Sequence, residues 1–265
     1  MESRIKIVQT SNIVCFLGVL VVNTLAATVG INGRLTGALS DEIPNLFVPA
    51  GLTFSIWGVI YILLLLFTIG QARGLFSSSR TSPEGTRQVG WLFVLSSAGN
   101  IGWLLLWHFR LVGWSVLAML LILASLVAIH QRLGTGRTPA GQAERWLFRV
   151  PFSVYLGWIT VATIANVTAA LVKAGWMGFG MQPQFWAVTV VVVAAVLTGA
   201  VLATRRDVAY SLVVLWALVG IAMKRSADPS SASQAVFVAA VVCGSVVAAA
   251  VIGSVVRSAV KPLEA

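Results

Sequence analysis

The residues best suited to chemistry in this sequence are tryptophan, tyrosine and asparagine side chains that recur at helical spacing in three apolar runs. The first run places Phe54, Trp57 and Tyr61 at positions i, i+3 and i+7, so the three rings share one helix face. The other two runs add amides to the same pattern, and their members are Asn100, Trp103 and Trp107, and Tyr155, Trp158, Ala162 and Asn166. An asparagine in hydrocarbon costs free energy unless its amide finds a partner. We therefore expect the three stripes to face the interior of a helix bundle.

Buried amides and aromatic rings in a helix bundle allow two interpretations. In the first, hydrogen bonds from Asn100 and Asn166 only hold the helices together. In the second, the stripes line a pocket whose aromatic walls and few polar groups suit a flat apolar ligand. The recurrence of the same residue types on three separate runs favours the pocket. Asn23, in the first apolar run, is a further candidate polar contributor.

The sequence contains little that could carry acid–base, nucleophilic or metal chemistry. His108 and His130 are predicted at opposite membrane faces, so they cannot bind one metal ion together. Cys15 and Cys243 lie in apolar runs and are interpreted as packing residues. The carboxylates considered for catalysis all fall in predicted loops or at span ends: Asp41, Glu42, Glu84, Glu144, Asp207 and Asp228. We therefore predict no catalytic residue, no metal site and no acid/base pair, and the sequence disfavours an ion-driven pump and enzymatic activity.

The composition is that of an integral membrane protein. The chain of 265 residues is 58% hydrophobic and 10% charged, with a mean hydropathy of +0.93, which leaves too little polar surface for a soluble domain. The apolar runs are continuous and roughly 20 residues long, as spanning helices require, whereas barrel strands would alternate. We predict an all-α polytopic membrane protein with about eight spans. They are predicted at residues 12–30, 52–72, 89–109, 113–132, 146–172, 185–204, 208–223 and 234–256.

The positive charge of the chain predicts its orientation rather than a nucleic-acid partner. The formal net charge is +10, and the basic residues lie in short segments between apolar runs. With the N-terminus in the cytoplasm, thirteen Lys and Arg residues lie inside and five outside, so we predict that both termini are cytoplasmic. The first apolar run is too long for a cleaved signal peptide and is predicted to be an anchor. The bacterial cytoplasmic membrane is the expected location.

The character of the chain changes near residue 181. Residues 1–180 are predicted to form an aromatic-rich core of five spans, and residues 181–265 an extension of three spans dominated by valine and alanine. Within the extension, Gly244 and Ala248 show the spacing of small residues that lets helices approach closely, either within the chain or in a homodimer. The segment from Ile31 to Val48 is either a structured cover over the pocket or a solvated connector.

The motifs of the core resemble those of the TspO/MBR family, the translocator or tryptophan-rich sensory proteins. The most specific match is Tyr155-x-x-Trp158-x3-Ala162-Thr163-x-x-Asn166 in the fifth span. A proline-containing loop before Trp57 and Tyr61 is similar to the loop that precedes the second helix of that family. The third helix of the family carries an Asn-x-x-Trp element, which is similar to Asn100 and Trp103 here. The turn that follows it in the family carries a Gly-Trp element, which is similar to Gly113 and Trp114. The resemblance covers residues 1 to about 180.

This sequence also departs from the family pattern. Where the family has Trp-Thr-Pro-Pro, the chain has Phe47-Val48-Pro49-Ala50, with one residue fewer before Trp57. Val154 replaces the proline that precedes the fifth-helix tyrosine, and three spans are added to the usual five.

The resemblance implies a five-helix bundle that binds a tetrapyrrole or a sterol-like molecule, often as a dimer, with a regulatory or transport role. The expected ligand is thus a porphyrin, a haem-type molecule or another hydrophobic small molecule. No cofactor is required, and the remaining partners are membrane lipid and a second copy of the chain. By motif position, the residues of the three stripes would line the binding cavity. A small-solute transporter and a structural membrane subunit are the alternatives.

Overall fold

The computed structural model describes residues 2–76 and 84–260, and it is helical almost throughout. Within this described part the only strand-like pairing is an isolated bridge between Ile31 and Arg34. The helices are α1 (Glu2–Thr28), α2 (Thr36–Asp41), α3 (Ile56–Phe76), α4 (Glu84–Val89), α5 (Leu92–His108), α6 (Val112–Arg132), α7 (Gln142–Glu144), α8 (Val150–Lys173), α9 (Pro183–Arg205), α10 (Val208–Ser226) and α11 (Ser231–Val260). A 3₁₀ turn, Gly51–Ser55, leads into α3, a π-helical turn, Arg145–Arg149, leads into α8, and a second 3₁₀ turn, Gly178–Gly180, precedes α9.

The lengths and composition of these helices confirm an integral, multi-pass, all-α membrane protein. Seven helical stretches of the described residues are long and apolar enough to cross a bilayer. An eighth apolar helix, Leu92–His108, has 17 residues and corresponds to the third predicted span. Each of the eight predicted runs thus contains one apolar helix. Backbone hydrogen bonding explains the choice of helix, because a helix satisfies its own N–H and C=O groups where no water is present.

The first helix begins ten residues earlier than its predicted span. Two polar residues in this part of the helix, Gln9 before the predicted span and Asn12 at its start, are fully buried. Gln9 donates from Nε2 to the carbonyl of Gln71 on α3 at 2.8 Å, and Asn12 donates from Nδ2 to Oε1 of Gln71 at 2.9 Å. These bonds between helices stabilise buried amides that hydropathy alone disfavours.

A π-helical turn precedes the proline of α8. Pro151 lies in the first turn of α8, where its missing N–H disturbs the backbone least. Arg149, at the end of the π turn, is buried, and it donates to Glu144 at 2.6 Å and to the carbonyl of Thr138 at 2.6 Å. Arg149 therefore anchors the loop before α8 to the start of that helix.

The last three helices pack against the aromatic core through α10. Trp216 donates from its indole N–H to the carbonyl of Thr53 at 3.0 Å, and the N–H of Ala50 donates to the carbonyl of Gly220 at 2.9 Å. These bonds join α10 to the segment that enters α3. Gly244 faces Leu215 and Leu218 of α10, which is packing within the chain. The division at residue 181 stays a prediction, since contact between two parts does not decide whether they are separate units.

Close packing at Gly220 makes it a sensitive position. A Cβ there would lie 1.9 Å from Oγ1 of Thr53, so alanine requires a shift of the 3₁₀ turn or of α10. We expect Gly220→Ala to lower the free energy of unfolding by about 1–3 kcal/mol, the usual range for overpacking. The matched control is Gly199→Ala in α9, where nothing lies within 4 Å and alanine should stabilise the helix by about 0.5–1 kcal/mol. Thermal unfolding in detergent micelles measures both, and equal effects would contradict the packing at Gly220.

Candidate functional site

The structure brings the three predicted stripes together around Trp57. The centroid of its ring lies 5.6 Å from that of Tyr61 on the same helix and 6.5 Å from that of Trp103 on α5. On α8, the rings of Tyr155 and Trp158 lie 6.0 and 6.2 Å from it in edge-on geometry. Helix periodicity accounts for this arrangement, because each stripe occupies one face and the three faces converge.

Asn166 fixes one side of this aromatic cluster. Its Oδ1 accepts a hydrogen bond of 2.8 Å from the indole N–H of Trp103, and its Nδ2 donates to Oγ of Ser115 at 2.9 Å. The network therefore joins α5, α6 and α8. Sequence reasoning did not find Ser115, because a lone serine in an apolar run is a weak signal.

Asn100 belongs to a second amide network. It donates from Nδ2 to the Tyr155 hydroxyl at 3.2 Å and accepts from Nδ2 of Asn23 at 2.8 Å. Asn23 on α1 thus joins this amide network, and it is not among the residues that line the cavity beside the aromatic cluster. These bonds connect α1, α5 and α8. The amides therefore do hold the helices together, as one of the two interpretations of the sequence predicted.

A cavity lies beside the aromatic cluster, and its walls are almost entirely apolar. The cavity proper measures about 60 Å³, and the surrounding space between the side chains, including the part open to the outside, is about 670 Å³. Seven of the ten predicted site residues line it: Phe54, Trp57, Trp103, Trp107, Trp158, Ala162 and Asn166. Tyr61, Asn100 and Tyr155 are absent from the lining and support the rings behind it. The other lining residues are Thr36, Ser40, Ile43, Val48, Pro49, Val161, Ala165 and Ala169.

Residues 31–50, here named the cover, close one end of the cavity. Leu39 of α2 is buried against a small cluster that includes Trp107 and Ala169. Asn45 donates from Nδ2 to Oγ1 of Thr168 at 2.7 Å, and Phe47 is fully buried. Of the two interpretations of this segment, the structure supports the structured cover. Its contacts come from residues far apart in sequence, which is why local pattern could not decide between them.

Ion pairs surround the outer face of the cover. Glu42 lies 2.9 Å from Nη2 of Arg110 and 3.6 Å from Nη1 of Arg34. Asp41 lies 2.9 Å from Nζ of Lys224 at the end of α10. The predicted topology puts these five residues on one side of the membrane, and the structure places them at one end of the bundle.

Two indole N–H groups at the cavity have no acceptor among the described residues. They belong to Trp107 and Trp158, whose side chains are 8% and 2% exposed. A buried donor without an acceptor costs about 1–3 kcal/mol, so native structures rarely leave two of them in one place.

The prediction that the chain has no acid/base pair is wrong. At the other end of the bundle, Nε2 of His130 lies 2.8 Å from Oδ2 of Asp207, and the hydroxyl of Ser153 donates to the same oxygen at 2.6 Å. The N–H of Tyr210 donates to Oδ1, so the carboxylate also caps α10. Asp207 does lie at a span end, but α6 and α8 bury it, and sequence could not show that.

The geometry of this cluster is structural rather than nucleophilic. In a hydrolase triad the serine hydroxyl bonds to the imidazole that takes its proton. Here the hydroxyl of Ser153 bonds to the carboxylate of Asp207 instead. His108 lies far from this cluster, near the cover, with Nδ1 at 2.8 Å from the carbonyl of Leu104 and Nε2 at 3.4 Å from Oγ1 of Thr36. The two histidines are therefore at opposite ends of the bundle, as expected.

Comparison with known proteins identifies a family. Residues 8–253 match the family model described as TSPO-like protein. The match covers most of the chain and includes α9 and α10 in full, with α11 as far as residue 253. Neither the curated proteins nor the solved structures gave a match.

Proposed function

Because the chain belongs to the family of TSPO-like proteins, we propose that it binds a flat hydrophobic ligand within the membrane, in the aromatic cavity between α3, α5 and α8. The observation that carries the proposal is the convergence of Trp57, Trp103 and Trp158 on one apolar cavity. Aromatic walls with few polar groups favour planar apolar molecules. A tetrapyrrole or a sterol-like molecule has this shape, and sensing or transport of the ligand would follow from its binding.

The size of the cavity implies that binding moves its walls. Pockets for drug-sized ligands measure roughly 300–1,000 Å³, and the cavity here measures about 60 Å³. The rings of Trp57 and Trp103 both line the cavity and are stacked, with centroids 6.5 Å apart and an interplanar angle of 26°. A planar ligand would enter between such rings by separating them. The cover lies over the cavity and contributes Ile43, Val48 and Pro49 to its lining, so a ligand that enlarges the cavity would also displace the cover.

The membrane location, the orientation and the partners expected from the sequence are part of the same proposal. We propose that both termini are cytoplasmic, because this orientation puts most of the basic residues inside, and that the protein lies in the bacterial cytoplasmic membrane. Binding needs no cofactor and no nucleic acid, and a porphyrin or haem-type molecule would be the ligand itself. The other proposed partners are membrane lipid and a second copy of the chain.

Quenching of tryptophan fluorescence by protoporphyrin IX tests the proposal directly. Ala162 lines the cavity, so Ala162→Phe should fill it and weaken binding at least about tenfold, which corresponds to 1.4 kcal/mol. Ala27→Phe adds the same ring at an exposed position of α1 and should leave the dissociation constant unchanged. Thermal unfolding of both variants checks that the fold is intact. An absence of saturable quenching in the unmodified protein would refute the proposal.

Variants of Trp158 and Asn100 separate the wall from its support. Trp158 lines the cavity, so Trp158→Ala should weaken quenching strongly. Asn100 lies behind the wall in the network with Tyr155, so Asn100→Ala should weaken quenching less and lower stability by about 0.6–2 kcal/mol, as for other interhelical hydrogen bonds. Quenching that is indifferent to both changes would count against this cavity as the binding place.

A further inference from the structure

The loop between α8 and α9, residues 174–182 and here named the aromatic loop, has a defined structure and contains no charged residue. Its 3₁₀ turn is closed by a hydrogen bond of 3.0 Å from the N–H of Gly180 to the carbonyl of Met177. Trp186 of α9 donates from its indole N–H to the carbonyl of Gly178 at 3.0 Å. The indole packs so closely that a Cβ on Gly178 would lie 2.8 Å from Nε1. The aromatic loop is therefore fixed to the start of α9.

This fixed loop displays large apolar side chains instead of burying them. Met177 and Phe179 are 82% and 84% exposed, more than any other large hydrophobic residue that the structure describes. Phe179 also has a φ of 56°, in the left-handed region where a bulky side chain costs free energy. Gly178 and Gly180 have similar φ values without that cost. Most of the Phe179 ring has no contact within the described residues, which points to a partner outside the chain.

The lengths of the adjacent helices place the aromatic loop at the level of the lipid headgroups. No charged residue lies between Lys173, the last residue of α8, and Arg205, the last residue of α9. A helix crosses the hydrocarbon core of a bilayer in about 20 residues. Counted back from Arg205 at one surface of the membrane, these residues end near Phe185. The aromatic loop ends shortly before Phe185, so it lies just outside the hydrocarbon.

Exposed tryptophans elsewhere in the bundle mark the same two levels. Trp114 is 64% exposed in the first turn of α6, at the end that carries the cover. Trp91 and Trp146 are each 52% exposed and precede α5 and α8 at the opposite end. Tryptophans are enriched at both membrane–water interfaces, because the ring is apolar and its N–H favours water. The aromatic loop shares the level of Trp114, since Lys173 at the end of α8 donates to the carbonyl of Arg110 in the turn before α6.

The composition of the aromatic loop favours lipid over a protein partner. At the same end of the bundle, the cover carries the charged residues Arg34, Asp41 and Glu42, as a surface in water does. The aromatic loop has Gln182 as its one polar side chain, and its other residues are apolar or glycine. A protein interface usually has a polar rim around its apolar centre, and the aromatic loop offers almost none.

We propose that the aromatic loop is an interfacial anchor, which inserts Met177 and Phe179 between the headgroups and acyl chains of the leaflet at the cover end. There the two side chains leave water, and this gain offsets the cost of the left-handed backbone at Phe179. Because Trp186 fixes the loop to α9, the anchor sets the height of that helix in the membrane. The inference is independent of ligand binding in the cavity.

Collisions of a nitroxide spin label with oxygen and with a water-soluble nickel chelate test this insertion. Oxygen concentrates in lipid and the chelate stays in water, so the ratio of the two collision rates rises with depth in the membrane. Cys15 and Cys243 are replaced with alanine, the label is attached at Met177→Cys, and the protein is placed in phosphatidylcholine vesicles. The matched control is the same label at Ala38→Cys, an exposed position in the charged cover at the same end.

We expect the ratio of oxygen to nickel collisions at Met177→Cys to exceed that at Ala38→Cys at least about threefold, as for a side chain inserted at the membrane interface. Adding Phe179→Asp places a charge on the anchor and should lower the ratio at Met177→Cys to that at Ala38→Cys. Phe179→Leu removes the same ring contacts with Trp176 and Trp186 but stays apolar, so it should keep the ratio high. Thermal unfolding of both variants checks that the fold is intact.

Three results would overturn the inference. If the chelate reaches the label at Met177→Cys as readily as at Ala38→Cys, the aromatic loop lies in water. If both reagents are excluded from the label, another protein or a second copy of the chain covers the loop. If Phe179→Asp keeps the ratio as high as Phe179→Leu does, the label itself enters the lipid and Phe179 is not an anchor. None of these results changes the test of ligand binding by quenching with protoporphyrin IX.

Discussion

Replacing Asp207 with alanine is expected to lower the free energy of unfolding by about 3–5 kcal/mol, as for other buried pairs that lose one partner. The change leaves Nε2 of His130, the hydroxyl of Ser153 and the N–H of Tyr210 without their acceptor. All of these groups are buried between α6, α8 and α10. Thermal or denaturant unfolding in micelles, followed by tryptophan fluorescence, measures the loss.

A second aspartate provides the matched control for this prediction. Asp41 is paired with Lys224, but its side chain is 71% exposed, so Asp41→Ala should cost less than about 1 kcal/mol. Asp207→Asn keeps the shape of the side chain and one acceptor oxygen. Its loss in the free energy of unfolding should lie between those of Asp207→Ala and Asp41→Ala. A loss for Asp207→Ala as small as that for Asp41→Ala would contradict the structural role assigned to the His130–Asp207 cluster.

Removal of the Trp57 ring is expected to affect stability and binding together. Trp57 is in ring contact with Tyr61, Trp103, Tyr155 and Trp158, so Trp57→Ala leaves a gap at the meeting point of three helices. We expect the free energy of unfolding to fall by about 2–4 kcal/mol, as for other large-to-small substitutions in a packed core. Binding of protoporphyrin IX should weaken more than about tenfold, because the central aromatic wall is lost.

Two further variants make the interpretation of Trp57→Ala specific. Trp114 is 64% exposed. Trp114→Ala should therefore change the free energy of unfolding by no more than about 0.5 kcal/mol and leave the dissociation constant of protoporphyrin IX unchanged. Trp57→Phe keeps a ring and should retain most of the stability with intermediate binding. If Trp57→Ala bound protoporphyrin IX as tightly as the unmodified protein, the cavity beside Trp57 would not be the binding place.

Residues that share a helix face could be predicted well from the sequence. Trp57 with Tyr61, and Trp103 with Trp107, are stacked along their helices at 5.6 and 6.0 Å, as their spacing predicted. Seven of the ten predicted site residues line the cavity for the same reason. Whether they bind a ligand stays a prediction until it is measured.

Side chains whose hydrogen-bond partners lie on another helix were predicted poorly. Ser115 and Asp207 were missed as members of polar networks, because each bonds to a residue more than 50 positions away. No partner was predicted for Trp216 in the valine- and alanine-rich extension, yet its indole N–H bonds to the turn that enters α3. Sequence spacing carries no information about such pairs.

The sequence by itself determined the fold class, the number of apolar helices and the inward faces of α3, α5 and α8, which carry the aromatic stripes. The reason is that hydrophobic length and helical periodicity are local properties, and the bilayer requires helices wherever they occur. Only the tertiary structure decided that the cover closes the cavity, that Ser115 bonds to Asn166 beside it, and that Asp207 is buried beside His130. Those arrangements arise from the packing of helices that lie far apart in the chain.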